Sequence, residues 1–292
     1  MSPIKRVAFI GMGNMGWPMA ANLIHTGFDV AVNDVTLDRA ANFAEEVGGR
    51  AASDAVVTIL PTSKQVSEVI ASVLPALAAA AMVIEISLAV PSVTRDLAGQ
   101  VAAGGAVMID CPVSGGVAQT ETGELAILAG GKPDHIERAT PLLNAVDTSI
   151  HRCGGVGAGQ AMKALNNLVS AGGFLIGLEA LLISQRFGLD PTLMVDVLNA
   201  STGMTNSSQK KFKQFVLSCR FDFGFGLDLM AKDLSIALGV GRDTATPTTF
   251  AALCRALPRD VGKCCGAVGA GPRPHGDGTI EREAGRHRAW WR

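Results

Sequence analysis

The segment RVAFIGMGNMGWPMAANLIHTGFDVAVND, residues 6 to 34, constrains the fold more than any other part of this chain. Val7 to Ile10 form an apolar run without alternation, as expected of a strand covered on both faces. Gly11, Gly13 and Gly16 follow at once, and apolar residues then recur with helical spacing up to Gly27. FDVAVND reads as a second strand ending in Asp34. Strand, glycine turn, helix, strand is the opening of a βαβ unit, which commits the chain to a parallel sheet with helices packed on it.

The spacing G-x-G-x-x-G has a physical meaning in that context. The first glycine permits the tight turn, the second lets backbone approach a pyrophosphate, and the third lets the helix lie close to the strand. The helix start then offers free N–H groups and a partial positive charge to phosphate. Asp34 follows Gly16 by 18 residues, near the spacing expected of an acid that bonds a ribose 2′-hydroxyl. Gly11, Met12, Gly13, Asn14, Met15, Gly16 and Asp34 are therefore the expected cofactor contacts. Asp34 repels the 2′-phosphate of NADP, so NAD is the expected cofactor, with NADP kept open by Arg39. The competing reading is a glycine turn in some other βαβ unit, with Asp34 as a helix cap.

Alternation continues through DRAANFAEEVG (helix), AVVTILP (strand), SKQVSEVIASVLPALA (helix), AMVIEIS (strand), VPSVTRDLAGQVAAGG (helix) and AVMIDC (strand). This order implies an α/β class, a Rossmann-type doubly wound parallel sheet. Ligands on such sheets lie beyond the carboxyl ends of the strands, which here are Gly11, Asp34, Leu60-Pro61, Ser87 and 110 to 114. With 292 residues the chain has room for two domains. The expected division is a nucleotide domain over 1–157 and an all-helical domain over 158–292.

Composition removes several functions. Net charge is −1, so no global field favours nucleic acid or an anionic membrane. Tyrosine is absent, which rules out a tyrosine acid/base. The six cysteines lack CxxC spacing, so neither a zinc site nor a redox pair is expected. They read as reduced thiols, and the N-terminus does not read as a signal peptide, so a cytoplasmic setting is expected. LVSAGGFLIGLEALLIS is interrupted by Glu179 and reads as a buried core helix rather than a membrane span.

From Ala158 to about Arg186 the sequence reads as one helix, roughly 40 Å long, joining the two domains. Lys163 is the only charged residue between Cys153 and Leu178. Lys163, Asn166, Asn167 and Ser170 share one helical stripe. Either Lys163 snorkels to water from a surface helix, or it works as an acid in a cleft. Gly172 and Gly173 weaken the helix, which makes sense if another backbone packs closely there. Downstream, Asp190 and Pro191 open a helix as N-cap and first residue, and Lys210, Lys211 and Lys213 read as a solvated basic face.

Four segments in order, FIGMGNMGWPMAANL, DCPVSGGVAQTETGELAILAGG, GAGQAMKALNN and FGLDLMAKDLSIAL, resemble the β-hydroxyacid dehydrogenases, the group of 3-hydroxyisobutyrate dehydrogenase and tartronate semialdehyde reductase. The resemblance spans about residues 5 to 250. It implies that Ser114, Gly115 and Gly116 bind substrate, that Lys163 is the catalytic lysine, and that Asn167 positions the substrate. It also implies that Lys232, accompanied by Asp233, lies near the nicotinamide end of the cofactor. Leu60 and Pro61 fall at a cofactor-lining strand end. Leu88 departs from the pattern, standing where the family commonly has a cofactor-contacting threonine.

The implied activity is hydride transfer between NAD and the hydroxyl carbon of a small 3-hydroxyacid such as 3-hydroxyisobutyrate. Lys163 serves as general acid/base, its pKa lowered by apolar surroundings and the positive nicotinamide. Tartronate semialdehyde reductase or threonate dehydrogenase activity is the alternative, and a non-catalytic dinucleotide-binding scaffold is the alternative of another class. The resemblance also implies a homodimer or homotetramer. From about Leu253 the sequence turns rich in Gly, Arg and Pro and loses helical periodicity. The stretch 255–292 reads as an unstructured tail or the product of a frameshift, with a basic nucleic-acid-binding tail as competitor.

Overall fold

The computed structural model describes residues 3–36, 38, 54–115, 125–220 and 226–256. They form two compact units, residues 3–173 with 226–256, and residues 174–220. The division falls inside the long helix, at 173/174, and the segment 226–256 belongs with the nucleotide-type sheet. The expected helix over 38–48, Arg39, Gly116 and the tail beyond Ala256 lie outside the described residues.

The first unit is built on an eight-stranded sheet in the order β2-β1-β3-β4-β5-β7-β6, with β8 also paired to β7. The strands are β1 (Arg6–Ile10), β2 (Asp29–Asn33), β3 (Ala55–Thr58), β4 (Met82–Glu85), β5 (Val107–Asp110), β6 (Val113–Ser114), β7 (Ala126–Gly130) and β8 (Ser149–Gly154). β1 to β5 are mutually parallel, as the alternation of elements predicts. β7 then runs antiparallel to β5 and β6. That reversal was not legible, because AILAG is a short apolar run with no turn signal to give its direction.

Each parallel strand is apolar because helices cover it. Val7 and Phe9 in β1 are fully buried, and burying a side chain of that size is worth about 1.5–3 kcal/mol. Helix α1 (Gly16–His25) turns Gly16, Met19, Ala20 and Leu23 inward at helical spacing. Helix α2 (Ser63–Val73) is capped by Thr62, which accepts from the Gln65 N–H, and α3 (Pro91–Ala103) opens on its proline. Helix α4 (Pro133–Val146) buries Ile136, Ala139, Leu142, Leu143 and Val146. β1 lies between β2 and β3, so the chain leaves it toward opposite sides. A crevice therefore opens at the carboxyl end of β1, beside Gly11 to Gly16 and Leu60-Pro61.

The long helix α5 runs Ala158–Phe187, 30 residues. By length and composition alone it could cross a membrane, and 28% of its most apolar window is buried. The expectation of a buried core helix over 168–184 is corrected in part: Ala171, Leu178, Leu181 and Ser184 are buried, but Val169, Ile176 and Ile183 are exposed. The close approach expected at Gly172 is also absent, since a Cβ there would meet only Cys254 Sγ at 3.8 Å. Close approach occurs instead at Gly159, where a Cβ would lie 2.1 Å from the Leu128 carbonyl oxygen. In the first unit, α8 (Leu227–Asp243) and α9 (Thr249–Ala256) complete the described chain. Helix α9 keeps its order three residues past Leu253, where the composition changes.

The second unit holds the end of α5, then α6 (Pro191–Ala200), α7 (Asn206–Lys210) and a π-helical turn over Phe212–Leu217. Asp190 caps α6 by accepting from the Thr192 and Leu193 N–H groups, as its sequence implies. Its core contains Leu178, Leu181, Val195, Phe212 and Val216. The Phe212 ring presses on Gly177, where a Cβ would meet it at 2.6 Å. The lysines of this unit are not one solvated face. Lys213 pairs with Asp196, and Lys211 is partly buried, which pushes its pKa down by desolvation.

Candidate active site

The glycine loop has the shape its spacing implies. Gly11 has φ +106°, and a Cβ there would lie 2.2 Å from the Ile59 carbonyl oxygen. A Cβ at Gly16 would lie 1.9 Å from the Gly11 carbonyl oxygen, so helix α1 starts in van der Waals contact with the loop. Gly13 is the opposite case, since a Cβ there meets nothing within 4 Å. Gly13 and Asn14 are exposed, whereas Met12 is buried. Met15, the N-cap of α1, supplies no side-chain cap, so the helix start remains open to an anion. The loop thus fits a pyrophosphate cradle: tight where the chain must pack and open where a ligand would lie. Asp34 Oδ2 accepts the Met12 N–H at 2.7 Å and Oδ1 accepts the Thr36 N–H at 2.8 Å. The acid is therefore held against the loop it was expected to accompany.

At the neighbouring strand ends, Lys232 on α8 donates to the Pro61 carbonyl at 3.1 Å and to the Leu88 carbonyl at 3.0 Å. Its Nζ also stands 3.2 Å from Asp233 Oδ1, an ion-pair distance outside good hydrogen-bond geometry. Lys232 thereby ties the exits of β3 and β4 together. Leu60 joins the same knot, its N–H donating to Ser87 Oγ at 2.7 Å. The side chain of Leu88 packs on the Ala164, Ile236 and Ala237 cluster.

Lys163 lies at the end of β6. Its Nζ donates to Ser114 Oγ at 3.1 Å, and Asn166 Nδ2 donates to the same oxygen at 3.3 Å. A serine oxygen that accepts twice leaves its own O–H to donate. Gly115 follows with φ +154°, which exposes the backbone beside that hydroxyl. Asn167 is buried and donates from Nδ2 to Asp233 Oδ2 at 2.6 Å, while its Oδ1 accepts from Asn166 at 3.3 Å. Burial pushes the Asp233 carboxyl up, opposed by Lys232, Asn167 and Lys163. Ser114, Lys163, Asn166, Asn167 and Asp233 thus form one hydrogen-bonded group. Among the described residues no cluster of His, Cys, Asp or Glu could hold a metal ion.

Comparison with known proteins agrees with this geometry. Residues 6–155 match the NAD binding domain of 6-phosphogluconate dehydrogenase, and residues 157–268 match the NAD-binding domain of NADP-dependent 3-hydroxyisobutyrate dehydrogenase. The chain is 35% identical over 271 residues to mitochondrial 3-hydroxyisobutyrate dehydrogenase of Mus musculus, covering 87% of this chain and 81% of that one. The chain belongs to the 3-hydroxyisobutyrate dehydrogenase family. It is also 33% identical to 2-(hydroxymethyl)glutarate dehydrogenase of Eubacterium barkeri, over 85% of this chain and 86% of the relative. Among solved structures, Mycobacterium tuberculosis 3-hydroxyisobutyrate dehydrogenase with L-serine superposes with a TM-score of 0.83 at 28% identity, covering 91% and 98% of the two chains. The family consists of NAD(P)-dependent 3-hydroxyacid dehydrogenases, so this chain is an oxidoreductase of that class.

Within this family member, several working contacts escaped the sequence. Asp233 was noted only as a neighbour of Lys232, yet it orients Asn167. Gln160 stands in the segment GAGQAMKALNN and Ser87 at a strand end, but nothing in the sequence joined the two. A buried polar residue on an apolar stripe is the one cue available, and Gln160 shows it three residues before Lys163.

Two buried acids lie behind the site on adjacent strands, Glu85 paired in register with Asp110. Glu85 Oε1 accepts the Ser87 N–H at 2.9 Å, while Oε2 and the Thr58 hydroxyl beside it lack well-aligned partners. Burial pushes Glu85 up to about 8 and Asp110 up to about 6. A folded-state pKa above the ordinary value of 4.5 means that the folded chain holds the Glu85 proton more tightly. The stability this confers is full below about 4.5, declines as pH rises and reaches its floor above about 8. A tenfold difference in proton affinity between folded and unfolded chain is worth about 1.4 kcal/mol, so the effect amounts to a few kcal/mol at most. Urea midpoints of the wild type should fall between pH 5.5 and 8.5, and Glu85→Gln should flatten that fall. An equally steep fall in the variant would remove Glu85 as the cause.

Proposed function

We propose that this chain oxidises a small 3-hydroxyacid of the 3-hydroxyisobutyrate type, with Lys163 as the general acid/base. The observation that carries the reading is the 3.1 Å contact between Lys163 Nζ and Ser114 Oγ beside the Asn167–Asp233 pair. When bound, NAD supplies the hydride acceptor for oxidation and the donor for reduction. Gly11 to Gly16 would hold its pyrophosphate, Asp34 its adenosine ribose, and the Pro61 and Leu88 backbones the far end.

The chain's own groups divide the remaining work. The free O–H of Ser114 and the backbone at Gly115 and Gly116 receive the substrate carboxylate. The Lys163 amine, in its neutral form, takes the proton of the substrate hydroxyl during oxidation and returns it during reduction. Asn167 has one amide hydrogen committed to Asp233, so its remaining hydrogen has a fixed direction in which to meet the hydroxyl. An unlocked amide would have two equivalent flips.

A panel of 3-hydroxyisobutyrate, glycerate, threonate and 2-(hydroxymethyl)glutarate, each with NAD and with NADP, tests the reading. The expected result is highest kcat/KM for 3-hydroxyisobutyrate with NAD, the cofactor preference arising because the Asp34 carboxylate opposes a 2′-phosphate. Tight NADH binding with no turnover of any hydroxyacid would refute it in favour of a scaffold.

A further inference from the structure

We propose that Gln160 is a positioning residue for this reaction: it locks the base of the Lys163 helix to the exit loop of β4, and so sets where the Lys163 amine stands relative to the cofactor-side backbone. This rests on Lys163 being the acid/base.

Gln160 has no exposed surface, although its side chain is polar at both terminal atoms. Nε2 donates to the Ser87 carbonyl at 2.9 Å, and Oε1 accepts the Ala89 N–H at 3.0 Å. One amide thus satisfies the backbone on both sides of Leu88. An ionised carboxylate has no donor for Ser87 and an ammonium no acceptor for Ala89, whereas the neutral amide of glutamine supplies both. Ser87 and Ala89 are themselves buried, so leaving both groups unpaired would cost about 1–3 kcal/mol each.

The other end of the lever is equally fixed. The Gln160 N–H donates to Asp110 Oδ2 at 2.9 Å and the Gly157 N–H to Oδ1 at 2.7 Å. Asp110, at the end of β5, therefore caps α5 from across the sheet, and Gly159 lets the helix base sit on the Leu128 carbonyl. Gln160 and Lys163 are three residues apart and so neighbours on one helix face. Leu88, between the two gripped residues, offers its carbonyl to Lys232 and its side chain to Ala164. Where the family commonly has a threonine, this loop has Leu88, whose backbone neighbours are gripped by Gln160 and whose carbonyl accepts from Lys232.

The test uses the full chain with Gln160→Met, which keeps the length and loses both bonds, and Gln160→Glu, which when ionised keeps only the acceptor and is therefore read at a pH above about 8. Four quantities are read: hydrogen exchange of the peptide spanning Ala89, NADH affinity by fluorescence, melting temperature, and the deuterium isotope effect on kcat. Gln160→Met should speed exchange at Ala89, weaken NADH binding several-fold and lower kcat by about a hundredfold. Its isotope effect should grow, as expected when hydride transfer becomes limiting. Gln160→Glu should fall between Gln160→Met and wild type in exchange and in kcat, and stands alone should the methionine variant not fold. A lower melting temperature with wild-type NADH affinity and isotope effect in the folded protein would overturn the proposal. Should Lys163→Ala retain its turnover, the acid/base reading falls, while exchange at Ala89 and NADH affinity still judge Gln160.

Discussion

Replacing Lys163 with alanine is expected to lower kcat by about 10²–10⁴-fold, the usual worth of a positioned acid/base, while NADH binds nearly as before. Nothing else in the group can take its place. The Asp233 carboxylate is buried and committed to Asn167, Ser114 is a poor base, and Lys232 is spent on two carbonyls and Asp233. The fold should survive the change. Lys163 is only partly buried, and its loss leaves Ser114 Oγ still accepting from Asn166. Lys163→Arg sharpens the experiment, because guanidinium keeps the charge but does not release a proton near neutral pH. Both variants should lose turnover and keep their melting temperature. Steady-state turnover and an NADH fluorescence titration check this, and a Lys163→Ala enzyme within about tenfold of wild type would sink the assignment.

The glycine loop carries the other large effect, which separates folding from cofactor binding. Gly16→Ala places a methyl 1.9 Å from the Gly11 carbonyl oxygen, so helix α1 must retreat from the loop. Overpacking of this kind costs about 1–3 kcal/mol or more. Both melting temperature and NADH affinity should drop, since the retreating helix takes the phosphate-facing N–H groups with it. Gly13→Ala meets no protein atom and needs no left-handed backbone. Its ligand-free melting temperature should match wild type, while NADH affinity falls by about tenfold or more, because the methyl occupies the pyrophosphate's approach. Equal NADH affinity in Gly13→Ala and wild type would show that the cofactor lies elsewhere.

How far the sequence could be read follows from what each element depends on. Residues 6 to 34 were legible because a strand, a glycine turn and a helix are local, and their periodicities differ. The parallel order through β5 followed from alternation. The antiparallel β7 did not, since its direction is decided by pairing with β5 and β6 and not by AILAG itself. Lys163 stood out because a lone charge on an apolar helix is visible at helical spacing. Its partner Ser114 lies 49 residues away, and only the family resemblance joined the two beforehand.

The exposed face of α5 marks a similar limit. Its apolar run gives length and helicity, but which side is covered depends on neighbours distant in the chain. Gly172 and Gly159 look alike in sequence, yet of the two only Gly159 lies against backbone, because there the helix start meets the Leu128 and Asp110 carbonyls.

By itself the sequence determined the nucleotide-type βαβ start, the parallel order of the first strands, the glycine cradle with Asp34, and the lone lysine on its helix. These rest on local periodicity and on chemistry carried by single residues. Tertiary structure alone decided that Asp233 turns Asn167, that Lys232 ties Pro61 to Leu88, and that Gln160 grips both sides of Leu88. Each of those bonds joins groups far apart in the chain, and a buried amide or carboxylate gains a partner only when the fold brings one to it.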